Sequence, residues 1–146
     1  MLQAAQYVAV LSCTIFTGAA IYITLVEHPA WMGCSTDIAA TVWAPTYKRA
    51  TLMQAPLALL SFVAGTTSWL LGSGLMWLVG ALIIFAVVPF TLLVIKPTNN
   101  RLLTPGRDLA SPETRALLAQ WGRMHSLRSA LSLIASAIFL WLLVRA

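Results

Sequence analysis

The chain has 146 residues, of which 60% are hydrophobic and only 9% are charged. A soluble domain carries roughly a quarter charged residues, so this composition excludes an ordinary water-soluble globule and selects lipid as the surrounding solvent. The net charge of +5 sits beside apolar segments instead of along a continuous stripe, which excludes a nucleic-acid footprint and reads as topology and headgroup charge.

The run 7–26 holds no charged residue and supplies the ~20 apolar residues that a helix needs to cross a bilayer. It is too long for a signal peptide, no Lys or Arg precedes it and no small-x-small site closes it, so it is expected to be retained. Glu27-His28-Pro29 is expected to end this span. A helix C-terminus suits His28, but a carboxylate there is mildly unfavourable, and one at the membrane edge normally has a partner. Glu27 and His28 are therefore candidate functional residues.

Tyr47, Lys48 and Arg49 lead into a second span, 50–71. Paired basic residues before a span are ordinary topology signals. Gln54 lies about one turn deep, shares a helical face with Tyr47 and Thr51, and needs a hydrogen-bond partner there. Gly72-Ser73-Gly74 forms a tight turn that forces an antiparallel hairpin with the third span, 75–95, where Pro89 should introduce a kink. Lys96-Pro97-Thr98-Asn99-Asn100 is expected to end that helix in a turn, with Asn99 and Asn100 either capping it or touching a ligand. Ser111-Pro112-Glu113 reads as an N-cap, a first-turn proline and an early carboxylate. From there Leu117, Leu118, Trp121, Met124 and Leu127 recur at helical spacing, so an amphipathic extension over 112–125 should continue into the fourth span, 126–144.

Trp121, His125, Arg128 and Ser132 fall at i, i+4, i+7 and i+11, on one face of that last helix. Three polar residues entering the membrane beneath a tryptophan favour an inward-facing site over an interface belt with a snorkelling arginine. Cys13 lies mid-span and Cys34 beyond its end. With no CxxC pair, neither reads as a disulfide or a ligand. Segments 27–49 and 96–128 share one side and hold eight of the nine basic residues. Positive-inside counting then expects both termini outside and both long loops in the cytoplasm; the expected location is a bacterial inner membrane.

His28, His125 and Glu27 are also the types that would hold a single iron, copper or zinc ion. Adjacent positions on a helix point ~100° apart, so Glu27 and His28 can share an ion only if the helix has already ended. No cofactor is therefore favoured. Metal-free chemistry would use a neutral histidine as general base, with cations and amides stabilising an anion.

Val26-Glu27-His28-Pro29-Ala30, Trp43-Ala44-Pro45-Thr46-Tyr47-Lys48-Arg49-Ala50-Thr51 and Gln54-Ala55-Pro56 carry a resemblance that spans most of the chain. Pro97-Thr98-Asn99-Asn100 and Trp121-Gly122-Arg123-Met124-His125-Ser126-Leu127-Arg128-Ser129 complete it. In these blocks the sequence resembles the anthrone-oxygenase-like family of small four-helix membrane proteins. The resemblance implies oxidation of an activated methylene of a polycyclic phenol to a ketone with O2, without flavin or haem. It makes His28 and His125 the candidate bases and places Trp121, Asn99 and Arg128 on the substrate or its enolate.

The expectation is an all-α protein: one four-helix transmembrane bundle over residues 1–146, antiparallel, with a polar pocket at its cytoplasmic end. Catalysis falls to His28, His125 and Glu27, and substrate binding to Tyr47, Lys48, Arg49, Gln54, Asn99, Asn100, Trp121 and Arg128. The expected partners are the bilayer, a lipophilic aromatic or quinol-like substrate and O2, with no nucleic acid; small residues such as Gly18 and Gly65 also permit a homo-oligomer. The rival readings are a metal-dependent redox protein and a non-enzymatic quinone- or lipid-binding membrane subunit. Transport is disfavoured, because four short helices with no charge at mid-membrane offer no pathway.

Overall fold

A computed structural model describes residues 1–145. It contains four helices, α1 (Leu2–Met32), α2 (Thr36–Leu70), α3 (Leu75–Leu102) and α4 (Pro112–Val144), all long and apolar enough to cross a membrane. No strand occurs among the described residues. At ~1.5 Å per residue, 28 to 35 residues exceed the ~30 Å hydrocarbon core, so the helices project beyond it.

Several helix ends differ from the sequence expectation. The second helix starts at Thr36 and not near residue 50, so most of 27–49 is helix and not a long loop, and Tyr47, Lys48 and Arg49 lie within α2. Glu27-His28-Pro29 does not terminate α1, and Lys96-Pro97-Thr98-Asn99-Asn100 does not terminate α3. A proline inside a helix lacks the N–H of the ladder, and its ring collides with the carbonyl four residues earlier. In both places the backbone widens just before the proline instead of breaking. Ile23–Glu27 form a π turn, with the His28 N–H bonded to the Ile23 carbonyl, and α-helix resumes over His28–Met32. Thr91–Ile95 repeat the device, and Lys96–Leu102 continue α3. A π turn absorbs one residue without losing the helix, so both motifs lie on helix walls.

The α2–α3 turn is closed by glycines with positive φ, +97° at Gly72 and +82° at Gly74. The Ser73 N–H reaches the Ser68 carbonyl at 3.1 Å, the long bond of a Schellman end. At the start of α4 the Ser111 hydroxyl accepts from the Thr114 N–H at 3.1 Å, which satisfies an orphan amide of the first turn.

Neighbouring helices meet with residue numbers running in opposite directions. Gln6 on α1 bonds Ser73 beyond α2, and Ser61 on α2 donates to the Ala9 carbonyl. Thr17 on α1 donates to the Ser132 carbonyl of α4, and Ser129 donates back to the Ala20 carbonyl. α3 closes the ring by packing against α2 and α4. Gly65 and Gly80 admit the Phe139 ring so closely that a β-carbon on either would lie within 3.0 Å of it.

The burial pattern suits lipid. Ser12, Thr17, Ser61, Ser68, Ser132 and Ser136 are buried, whereas Leu52 and Leu93 are 78% and 76% exposed. Small hydroxyls between the helices bond to neighbouring backbone and permit close approach, while leucines face outward. The interior divides into two clusters. One, around Phe16, Trp77, Ile84 and Phe139, fills the end holding the α2–α3 turn; the other, around Trp43, Ile95, Leu117 and Trp121, fills the end holding the long loop.

Candidate functional site

The second cluster contains most of the polar residues singled out by the sequence. Trp121 is 4% exposed and holds the centre. The His125 ring stacks on it at 4.8 Å between centroids, and Trp43 meets it edge-on at 6.0 Å. Tyr47 lies flat against Trp43 at 5.2 Å. His28 approaches Trp121 from α1 at 5.8 Å, and its Nε2 donates to the Leu118 carbonyl at 3.0 Å. That approach requires Gly122, where a β-carbon would overlap the His28 ring.

His125 is buried, with Nδ1 3.0 Å from the Thr24 hydroxyl. Thr24 lies 2.8 Å from the Ser129 hydroxyl, which donates to the Ala20 carbonyl at 3.0 Å. One turn further along α4, Arg128 is 9% exposed, and its Nη2 donates to Gln54 Oε1. The guanidinium also sits over the Phe16 ring, 5.3 Å from its centroid.

These side chains leave an unusual number of polar atoms unpaired. Trp43 Nε1, Gln54 Nε2, both amide atoms of Asn99, Trp121 Nε1 and Arg128 Nε are buried without a hydrogen-bond partner among the described residues. Thr66 Oγ1 shares this condition, but it lies towards the far end of α2. Buried polar groups are normally paired, because an unmade bond costs roughly 1–3 kcal/mol. Four of these atoms, on Trp43, Gln54, Trp121 and Arg128, belong to side chains gathered around Trp121 and His125, and they describe a surface built to bond something besides itself.

The remaining expected site residues lie elsewhere. Lys48, Arg49 and Asn100 are exposed, and Asn100 offers only its backbone carbonyl, to Thr104. Asn99 is buried on the inner face of α3 beside Ile95 and Leu102. Glu27 lines an open groove of about 310 Å³ between α1 and α2, with Tyr22, Arg49 and Gln54. Because α1 stays helical through Glu27 and His28, these neighbours diverge. No group of three or more His, Cys, Asp and Glu side chains comes together among the described residues.

Four participants were not singled out as site residues by the sequence. Trp43 reads there only as part of a longer motif, and Gly122 as a small residue among many. Thr24 and Ser129 look like ordinary helix-packing hydroxyls, and only the pairing of α1 with α4 brings them to His125. The long loop is braced outside the site: Arg101 donates to Glu113 at 2.8 Å, while Arg115 donates to the Cys34 and Met32 carbonyls and ties α4 to the end of α1.

A family model described as anthrone oxygenase matches residues 43–138. The chain is also similar to anthrone oxygenase tpcL of Aspergillus fumigatus, 29% identical over 150 residues that cover 96% of this chain and 93% of that protein. No solved structure matches it. The family match begins at Trp43 and includes Tyr47, Gln54, Asn99, Trp121, His125 and Arg128, whereas Glu27 and His28 fall within the longer alignment alone.

Proposed function

The chain belongs to the anthrone oxygenase family, and on that premise we propose that it oxidises the methylene of a lipophilic, anthrone-like aromatic to a ketone with O2, His125 acting as base. Family membership carries oxygenase-type chemistry, and the four apolar helices make the chain an integral membrane protein.

The observation that carries the reading is the fixed surroundings of His125. The Ala20 carbonyl can only accept, so the Ser129 hydroxyl donates to it and accepts from Thr24. Thr24 then accepts from His125 Nδ1–H, which leaves the lone pair on Nε2. His125 lines a small pocket with Tyr47, Gln54, Trp121 and Arg128. A base placed beside a buried cation is suited to substrates whose acidity arises from delocalising charge onto oxygen.

In the proposed reaction His125 Nε2 takes one methylene proton, and the electron pair delocalises onto the ketone oxygen as an enolate held by Arg128. One electron passes to O2, and recombination at carbon forms the C–O bond of a peroxide anion, which the imidazolium protonates. Removal of the second C–H proton then breaks the O–O bond and expels hydroxide, which that proton converts to water. The balance is one methylene and one O2 to one ketone and one water. His28, with Nε2 committed to Leu118, is the second base of this scheme. The scheme gives Glu27 no proton to move.

The test is O2 uptake with anthrone itself as substrate. His125→Ala should lower kcat by about 10²- to 10⁴-fold, the usual contribution of a positioned base. If His28→Ala and His125→Ala both kept the wild-type rate, the mechanism would be wrong. Thr24→Val removes the acceptor of Nδ1–H and should shift the pH profile of kcat, while Thr24→Ser should restore it. We also place the loop-bearing end in the cytoplasm, because eight of nine basic residues lie there.

A further inference from the structure

The pocket beside His125 holds about 10 Å³, which is room for a single water at most. Space for a larger molecule lies on the other side of Arg128. There a cleft of about 120 Å³ opens between α2 and α3, walled by Phe16, Ala55, Ala58, Val87 and Leu92, and Arg128 is the one charged residue on its lining. Ala55 and Leu92 are exposed on the outer surface of the bundle, so the mouth faces the acyl chains of a surrounding bilayer.

Arg128 lines both spaces. It is about nine-tenths buried, its Nε has no partner, and the ion pairs among the described residues are those of Arg101 and Arg107 with Glu113. A guanidinium buried without a counter-charge leaves solvation uncompensated, and an anion delivered to it recovers that loss. Apolar walls ending at one unpaired cation are complementary to an amphiphilic anion: a greasy body with a single charged oxygen.

We propose that this cleft is the binding site for a flat aromatic phenolate or enolate that enters sideways from the bilayer, its rings between α2 and α3 and its oxygen on Arg128. The choice of an aromatic occupant rests on the function proposed above; the cation and the apolar walls carry the rest. In this arrangement Arg128 stands between the small pocket of His125 and the cleft that holds the ligand's body.

The experiment is a binding titration of the full-length protein in phosphatidylcholine nanodiscs. The probes are alizarin, an ionisable dihydroxyanthraquinone, and anthraquinone, which has the same ring system without hydroxyls. Wild type should bind alizarin about tenfold or more tightly than anthraquinone, the scale of one charge-assisted bond. Arg128→Gln should erase that preference. Ala55→Trp, which fills the mouth, should weaken both probes, and Leu93→Trp, exposed but off the cleft, should change neither. A preference that survives Arg128→Gln overturns the proposal, and so does binding indifferent to Ala55→Trp. Loss of alizarin binding in phosphatidylglycerol nanodiscs would make an anionic lipid the occupant and overturn it equally. If Arg128→Gln does not fold, Gln54→Glu must erase the preference instead, by placing a carboxylate on the guanidinium. His125→Ala separates the two readings: lost turnover with intact alizarin binding supports base and cleft together, whereas turnover without the predicted binding pattern removes the cleft alone.

Discussion

Arg128 and Gln54 carry the strongest conflict between stability and use. A guanidinium has five N–H donors, and in this bundle it has one side-chain acceptor, Gln54 Oε1. Replacing that acceptor with Leu leaves the cation with even less, so Gln54→Leu should lower stability by roughly 1–3 kcal/mol, measurable as an earlier thermal transition in detergent. Gln54→Glu should act in the opposite sense on the fold, raising the transition by giving Arg128 a counter-charge, while weakening any anionic ligand at the same place. Parallel changes in stability and binding would argue against Arg128 as an anion holder. Trp121 has a different task. It fixes two imidazoles from different helices, His125 by stacking and His28 by approach, so Trp121→Leu should depress turnover even with both histidines present.

At the scale of elements, the glycines and prolines determine what the helices deliver. Gly122 lets the His28 ring lie against α4. A methyl there displaces the ring from its bond to Leu118, so Gly122→Ala should reproduce the kinetic defect of His28→Ala. The double variant should be little worse than either single one, because both remove the same contact; additive losses in O2-uptake assays would refute the coupling. Gly80 plays a purely structural part. A β-carbon would lie 2.8 Å from the Phe139 ring, so Gly80→Ala should cost about 1–3 kcal/mol by overpacking, and Phe139→Leu should recover part of it in the same melting experiment. The π turns before Pro29 and Pro97 explain how α1 and α3 carry His28 and Asn99 on continuous helix walls. Proline alone reads as a stop, and only the surrounding helices favour the widened turn over a break.

At the scale of the whole molecule, serines such as Ser61, Ser132 and Ser136 lie between the helices while leucines such as Leu52 and Leu93 face out, which fits a bundle whose helices associate without a hydrophobic driving force between them. Orientation is open to a direct test. Cys34 is exposed beside the loop-bearing end, while Cys13 is buried. A membrane-impermeant thiol reagent should label Cys34 in inside-out vesicles and leave it unlabelled in right-side-out ones; the reverse would invert the proposed topology. Metal analysis belongs to this scale as well. Because Glu27 and His28 diverge on a continuing helix, purified protein should carry no stoichiometric iron, copper or zinc. Metal lost from both His28→Ala and His125→Ala would make the histidines ligands and demand a different mechanism.

The sequence by itself determined the solvent, the number of helices, the tight α2–α3 turn and the helical face that carries Trp121, His125 and Arg128. Each of these is a local or compositional property: hydropathy over ~20 residues, glycine conformation, and a 3.6-residue period. Only the tertiary structure decided which of the polar residues meet. It brought Thr24 and Ser129 to His125 and Gln54 to Arg128 across different helices, left Lys48, Arg49 and Asn100 on the surface, and turned Glu27 away from His28. Those outcomes depend on how four helices pair and on backbone widening at two prolines. Periodicity along one helix carries no information about the rotation of its neighbour.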